Sequence, residues 1–134
     1  MSQEIPWERL FTAAEKARES AWAPYSKFPV GAAVLTEDGR IEAGCNVENA
    51  SYGLSVCAER NAIGRAVGEG ARRILAVAVV ANTAKPCPPC GMCRQVIAEF
   101  AGPEAPIRSR TPGGEEGRYT VSDLLPHAFT RDFL

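Results

Sequence analysis

The feature that most constrains the fold is an uninterrupted apolar segment, Ile74 to Ala81, near the middle of the chain. It is rich in β-branched residues and is far too short to cross a bilayer as a helix. A strand with one wet face would alternate apolar and polar residues, so this run is typical of a strand that is covered on both faces. It predicts a central strand in a sheet that has helices on both sides.

Further elements on either side of this strand complete the predicted layers. They are a helix from Pro6 that ends before Pro24, strands at Val30–Leu35 and Ile41–Val47, helices at Cys57–Val67 and from Cys90 to about Phe100, strands at Ile107–Arg110 and Arg118–Val121, and a short helix capped by Ser122 that runs through Leu125. The sequence therefore predicts an α/β fold of three α-β-α layers around one mixed, five-stranded sheet.

The short connections indicate that the sheet is mixed. Asp38-Gly39 lies between the first two strands and favours a tight hairpin. The linker 111–117 between the last two strands is rich in turn-forming residues and has no room for a crossover helix. Those two strands are therefore predicted to be antiparallel.

Length and charge narrow the class of protein. The chain has 134 residues, the size of one ordinary domain, so a single domain over residues 1–134 is expected. Its 15 basic and 16 acidic residues give a net charge of −1, and no long basic run is present. This balance disfavours a nucleic-acid backbone as the main partner.

The N-terminus has no basic-then-apolar leader pattern, so we expect a cytoplasmic protein with no membrane partner.

Five cysteines are the strongest indication of chemistry. They are Cys45, Cys57, Cys87, Cys90 and Cys93. An odd, clustered set without a secretion pattern favours reduced thiols or metal ligands over disulfides. Cys57 and Cys90 begin predicted helices, where the helix dipole favours the thiolate form that binds metal.

The spacing of three of these thiols is typical of a catalytic zinc site. Cys90 and Cys93 are three residues apart and share one helix face, so they can hold one ion together. Adding Cys57 from the other helix gives three sulfurs and leaves a fourth tetrahedral position open. Catalytic zinc sites keep such an open position, whereas structural sites close it.

Other interpretations of the thiols remain open. Cys-x-x-Cys alone is also typical of a redox dithiol or of half a structural zinc knuckle. Glu59 follows Cys57 closely and argues against both, since neither needs a carboxylate at another helix start. Cys87 is the main rival as a fourth ligand, although its proline-rich segment makes convergence awkward. His127 lies in no metal-spaced motif and is interpreted as a surface or packing residue.

Several longer motifs bear a family resemblance. They are Phe28-Pro29-Val30-Gly31-Ala32-Ala33, the segment from Gly44 to Gly53, Cys57-Ala58-Glu59-Arg60-Asn61-Ala62, Pro89-Cys90-Gly91-Met92-Cys93-Arg94-Gln95 and Leu124-Leu125-Pro126-His127-Ala128-Phe129. Cys-Ala-Glu followed by Pro-Cys-x-x-Cys resembles the zinc deaminase signature. The full set, which covers nearly the entire chain, resembles the small homotetrameric cytidine deaminases.

The resemblance implies a role for each matching residue. Cys57, Cys90 and Cys93 would bind one zinc ion per chain, and Glu59 would be the catalytic proton shuttle. Substrate contacts would come from Phe28 as an aromatic wall, from Asn46 and Glu48 as the ribose-binding pair, and from Ala58, with Tyr52 and Phe129 near the boundary to a neighbouring subunit. Arg60 and Gln95 would donate hydrogen bonds to the ligand sulfurs.

The resemblance also implies an activity. The chain would hydrolyse the 4-amino group of cytidine and deoxycytidine, in pyrimidine salvage, as a homotetramer. A deaminase of another aminopyrimidine or aminopurine is the nearest enzyme alternative. A catalytically silent zinc-binding module is the alternative from another class, and Glu59 argues against it. The sequence departs from the family pattern at Cys87-Pro88 and at His127.

Overall fold

A computed structural model describes residues 4–134. Its helices are α1 (Trp7–Arg18), α2 (Ala58–Gly68), α3 (Gly91–Phe100) and α4 (Val121–Leu124); its strands are β1 (Val30–Thr36), β2 (Ile41–Cys45), β3 (Ile74–Ala81), β4 (Pro106–Arg110) and β5 (Glu116–Thr120); and 3-10 turns span Tyr52–Leu54 and Arg131–Phe133. No helix in this described part is long and apolar enough to span a membrane.

The five strands form one mixed sheet in the order β2-β1-β3-β4-β5. All neighbours are antiparallel except β3 and β4, which α3 connects. The two short connections are hairpins, as predicted, and the parallel pair is the only one joined through a helix. The predicted mixed five-stranded sheet is confirmed, with β3 at its centre.

Helices cover both faces of the sheet, so the predicted three layers are also confirmed. On one face, α1 buries Leu10, Phe11 and Ala14 against β1 and β3. On the other face, α2 and α3 pack over a second cluster that includes Ile63 and Ile97. Residues of β3 enter both clusters, which explains why its sequence is apolar at every position.

Close packing at Gly44 fixes the position of α2. A Cβ atom at this glycine of β2 would lie 2.5 Å from the backbone nitrogen of Ala62, a distance that real Cβ atoms do not reach. The backbone of α2 therefore approaches the strand more closely than any side chain would allow. Since α2 begins beside Cys57, this contact also holds the candidate site in place.

Two local predictions were wrong. The N-cap of α4 is Thr120, not Ser122, because Thr120 and Asp123 form a capping box in which each side chain accepts a hydrogen bond from the other residue's backbone N–H. Strand β2 ends at Cys45, before the predicted end at Val47. Val47 instead forms isolated bridges with Trp22 and Val56.

Candidate metal centre

Three thiols meet where two helices begin. Cys57 and Cys90 are the N-cap residues of α2 and α3, and both have extended backbones that turn their side chains out of the helices. Cys93 lies one turn into α3 and is fully buried. The positive ends of both helix dipoles point toward this group, here called the thiol cluster, and favour negative charge there.

The sulfur separations suit a single zinc ion. The Sγ atom of Cys90 lies 3.7 Å from that of Cys57 and 3.5 Å from that of Cys93. Tetrahedral zinc with Zn–S bonds of about 2.3 Å places two sulfurs about 3.8 Å apart. A disulfide needs about 2.05 Å, and all five cysteines are free. The separations thus match a metal site, and the third thiol at the same point disfavours a redox dithiol, which needs only two.

The charge state of the thiols also calls for a cation. Hydrogen bonding from Cys93, together with the nearby guanidinium of Arg60, lowers the pKa of Cys57 to about 5. The pKa of Cys93 is raised, mainly because its proton is shared with Cys57. Three thiolates this close repel one another, and a divalent ion is what allows all three to lose their protons.

Arg60 lies beside the cluster on α2. Its Nη2 atom lies 3.7 Å from the Sγ atom of Cys57 and donates to the carbonyl oxygen of Ser55 at 3.3 Å. The contact with Cys57 is the main reason why the pKa of Arg60 is raised. Its Nε atom is buried and finds no hydrogen-bond partner within residues 4–134. A guanidinium here offsets the excess negative charge of three thiolates on a divalent ion.

Glu59 is the buried carboxyl group of the site. It lies in the first turn of α2 and is only 5% exposed. Burial is the main cause that raises its pKa to about 7, and the negative charge on Cys57 raises it further. A carboxyl group with a pKa near neutrality can both accept and return a proton at physiological pH.

One cavity joins the thiol cluster to the predicted substrate residues. It has a volume of about 300 Å³. Its walls are formed by Ser26, Phe28, Val30, Asn46, Glu48, Cys57, Ala58, Glu59, Val79, Cys87, Pro88 and Cys90. We call it the thiol cavity. The structure therefore brings two zinc-ligand candidates, Glu59 and four of the predicted substrate residues onto one concave surface.

Asn46 positions the aromatic wall. Its Nδ2 atom donates to the carbonyl oxygen of Phe28, and its Oδ1 atom accepts from the backbone N–H of Val30, both at 2.8 Å. The amide thus bridges the segment that leads into β1. Asn46 lines the cavity, but it also has a bracing function that the sequence interpretation did not include.

Glu48 is held as an acceptor by residues that sequence reasoning missed. Its Oε1 atom accepts from the backbone N–H groups of Tyr25 and Ser26 at 3.0 and 3.1 Å, and its Oε2 atom accepts from the Ser26 hydroxyl. These bonds, led by that of Ser26, lower the pKa of Glu48. A usable signal was present, since Pro24-Tyr25-Ser26 has turn composition and serine in a turn offers a local donor.

Five predicted residues do not line the thiol cavity. Two of them, Cys93 and Arg60, lie in or beside the thiol cluster, and the other three are Tyr52, Phe129 and Gln95. Tyr52 is 77% exposed and stands edge-on to Tyr25. Phe129 is 61% exposed and stacks on Phe133. Gln95 donates from Nε2 to the carbonyl oxygen of Phe129 at 2.9 Å, and no hydrogen bond joins it to a sulfur in the described structure.

Arg94, which the sequence interpretation did not single out, ties the start of α3 to α4. Its Nε atom donates to the carbonyl oxygen of Pro89 at 2.7 Å, and its Nη1 atom donates to that of Leu124 at 3.1 Å. Pro89 directly precedes Cys90, so this side chain braces the backbone that carries two of the three thiols.

The rival fourth ligands do not join the cluster. Over residues 4–134, Cys57, Cys90 and Cys93 are the only group of three potential ligands close enough to hold a metal ion. Cys87 lies in the cavity wall, and burial, Glu59 and Cys90 all raise its pKa. His127 is exposed, in a left-handed backbone conformation with φ 60°. Neither residue therefore closes the fourth ligand position, which stays open toward the cavity.

Comparisons with known proteins agree on one family. The profile "Cytidine and deoxycytidylate deaminase zinc-binding region" matches residues 6–107. A cytidine deaminase from Sporosarcina psychrophila is 51% identical over 127 residues, which are 95% of this chain and 93% of that protein. A cytidine deaminase from Halalkalibacterium halodurans is 50% identical over 125 residues, covering 93% and 95% of the two chains.

A solved structure extends the likeness to three dimensions. The crystal structure of cytidine deaminase from Burkholderia pseudomallei superposes with a TM-score of 0.89 at 47% sequence identity. The match covers 93% of this chain and 100% of that one. Both sequence and fold therefore agree along almost the whole described chain.

Proposed function

The chain belongs to the family of cytidine and deoxycytidylate deaminases, and we propose from this membership that it is a zinc-dependent cytidine deaminase. It hydrolyses cytidine and deoxycytidine: water adds at C4 of the pyrimidine, the bond from C4 to the amino nitrogen breaks, and the uracil nucleoside and ammonia leave. One observation carries the proposal. A buried carboxyl group, Glu59, shares one small cavity with a three-thiol cluster that is open toward that cavity.

The proposed zinc ligands are Cys57, Cys90 and Cys93, with one ion per chain. Their sulfur separations and their need for a compensating cation support this assignment. A zinc ion held there supplies Lewis-acid chemistry that lowers the pKa of water toward neutrality. The closeness of Arg60 to Cys57 helps the site tolerate three thiolates.

Glu59 moves the protons of the reaction. It accepts a proton from the attacking water and delivers it to N3 of the pyrimidine; it then takes the remaining proton of the hydroxyl group added at C4 and gives it to the departing amino group, so that the C4 carbonyl forms as ammonia leaves. Its burial and its raised pKa support this alternation, because a carboxyl group that is ionised at every stage could not act as an acid.

Glu48 and Phe28 are proposed to bind the nucleoside. Glu48 is held ionised by Ser26 and by two backbone N–H groups, so it can accept a hydrogen bond from a ribose hydroxyl. Free cytosine has no ribose hydroxyl to donate to Glu48 and would lack this hydrogen bond, which disfavours the base alone. Phe28 supplies an aromatic wall beside the base, and Asn46 holds its backbone in place.

The function is tested by following cytidine loss by ultraviolet absorbance with purified protein of known zinc content. We expect turnover of cytidine and deoxycytidine and little turnover of cytosine. A panel that includes blasticidin-type nucleosides and guanine, read by ammonia release, tests the other deaminase chemistries. A protein that contains zinc but releases no ammonia from any of these substrates would instead be a silent zinc-binding module.

We propose that residues 1–134 act as one cytoplasmic deaminase domain in pyrimidine salvage. A site of three thiolates supports a reducing compartment, because oxidising conditions would convert neighbouring thiols to disulfides. The near-zero net charge supports a small nucleoside rather than a nucleic acid as the partner.

We further propose that the active enzyme is a homotetramer in which Phe129 and Tyr52 lie at subunit boundaries. Their exposure supports this, since Phe129 stacks on Phe133, which is also exposed, and contiguous exposed apolar side chains are typical of protein interfaces. Light scattering is expected to give about four times the chain mass of 14.4 kDa. Activity per chain is expected to fall when dilution dissociates the assembly. A fully active monomer would contradict the proposal.

A further inference from the structure

Cys87 is a thiol of the cavity wall that the candidate metal centre does not use. Cys57, Cys87 and Cys90 all line the thiol cavity, but only Cys57 and Cys90 belong to the thiol cluster. The Cys87 side chain is half-buried, and its Sγ atom makes only a long contact of 3.7 Å with the carbonyl oxygen of Pro88. Its sulfur is therefore free for other chemistry.

The same cavity shows independently that it is built for a ligand. Glu59 is 5% exposed and lines the cavity, yet within residues 4–134 no residue other than Glu59 itself donates a hydrogen bond to its carboxyl group. A buried carboxyl group with so few partners is costly unless a bound molecule supplies more. Cys87 and Glu59 both line this cavity, so the two groups share one surface.

The cavity volume leaves little room to spare. Small-molecule sites span about 300 to 1,000 Å³, so a cavity of about 300 Å³ lies at the lower end of that range. A group added to the Cys87 sulfur would compete with the nucleoside for this space. The unmodified Cys87 side chain thus leaves room for the substrate, whereas a Cys87 side chain that carries an added group does not.

We propose that Cys87 is a covalent modification site inside the substrate cavity, at which small neutral electrophiles inactivate the enzyme and bound nucleoside protects it. This inference rests on the proposed function in one respect, the choice of a nucleoside as the ligand that protects Cys87. With iodoacetamide, an S–C bond forms at Cys87, the C–I bond breaks, iodide leaves, and the thiol proton passes to the buffer. A neutral reagent suits a cavity lined by the carboxyl groups of Glu48 and Glu59.

The experiment treats zinc-loaded protein with iodoacetamide, with and without uridine, and follows activity, zinc content and peptide masses together. Zinc shields the three ligand sulfurs, so Cys87 is the thiol of the cavity wall that stays open to the reagent. Because burial raises the pKa of Cys87, the reaction is run at mildly alkaline pH, where more of it is thiolate. Activity should fall at the rate at which Cys87 is labelled, with zinc retained. Uridine at about ten times its Kd should slow both rates about tenfold, because it leaves about a tenth of the sites empty.

Variants sharpen the test. Cys87→Ser, normalised to its own untreated rate, should lose activity far more slowly than the wild type. Cys45→Ser removes a half-buried thiol of β2 and should be inactivated as fast as the wild type. If Cys87→Ser has too little activity of its own, peptide mapping of the wild type decides.

Three outcomes would overturn the inference. They are labelling of Cys87 without loss of activity, labelling that uridine does not slow, and inactivation that follows zinc release or label on Cys90. Failure of the proposed function is seen separately, as absence of cytidine turnover before any reagent is added.

Discussion

Glu59→Gln is expected to lower cytidine turnover by more than about a thousandfold, because one lost proton transfer is worth about a hundred- to ten-thousand-fold and Glu59 performs more than one. Glutamine has nearly the same shape and adjoins the metal ligands without being one. Zinc content and folding should therefore survive. The amide cannot accept a proton from water or deliver one to N3 and the amino group.

The binding of uridine separates a catalytic effect from a structural one. The carboxyl group contributes mainly in the transition state, so uridine affinity should weaken far less than turnover. Glu69→Gln is a matched control, since it makes the same change at an exposed position at the end of α2. Steady-state kinetics with zinc analysis measures all three proteins. A Glu59→Gln variant that keeps more than about a tenth of wild-type turnover with zinc intact would contradict the shuttle role.

Local patterns accounted for most of the fold. The apolar run of β3 has one compatible environment, a strand covered on both faces, and it indeed contributes to two cores. Helix starts were predicted within one residue at Cys57 and Cys90, because the thiols are N-caps where the chain enters α2 and α3. The end of β2 was missed because Val47 has strand composition but bridges Trp22 and Val56 from outside the ladder.

Contacts between distant segments explain what the sequence could not predict about the site. Glu48 is oriented by Ser26, which lies 22 residues away in the sequence. Spacing patterns within one helix or strand cannot predict a contact between residues so far apart in the chain. The amide of Asn46 is used to brace the entry to β1. Gln95 was assigned to the sulfurs by resemblance, but it lies two residues after Cys93 on the helix and turns toward the C-terminal segment.

The spacing of the cysteines does not by itself identify which of them bind the metal. Cys87, Cys90 and Cys93 are evenly spaced, so sequence alone leaves two candidate pairs within this run. The structure separates them by backbone, because Cys90 caps α3 and Cys93 lies in its first turn, whereas Cys87 precedes the helix in a proline-rich segment without regular secondary structure. This distinction leads to a prediction about which thiols hold the metal.

Cys90→Ser is expected to remove the bound zinc, whereas Cys87→Ser should leave zinc at the wild-type amount per chain. Serine is close in size to cysteine, but its hydroxyl is far less acidic than a thiol and does not replace a thiolate ligand. Two sulfurs and one alcohol should release the ion during dialysis against a chelator. Metal analysis of dialysed protein gives the zinc content directly.

Turnover should follow zinc in these variants. The Lewis-acid contribution is worth several kcal/mol and each 1.36 kcal/mol is tenfold in rate, so Cys90→Ser should lose at least about a hundredfold in turnover. Cys45→Ser, a change of the same type in β2, controls for a general effect of removing a thiol. Equal zinc loss in Cys87→Ser and Cys90→Ser would mean that Cys87 is a ligand. The site would then hold four sulfurs and be closed, and the position next to Glu59 where the reaction must occur would no longer be open.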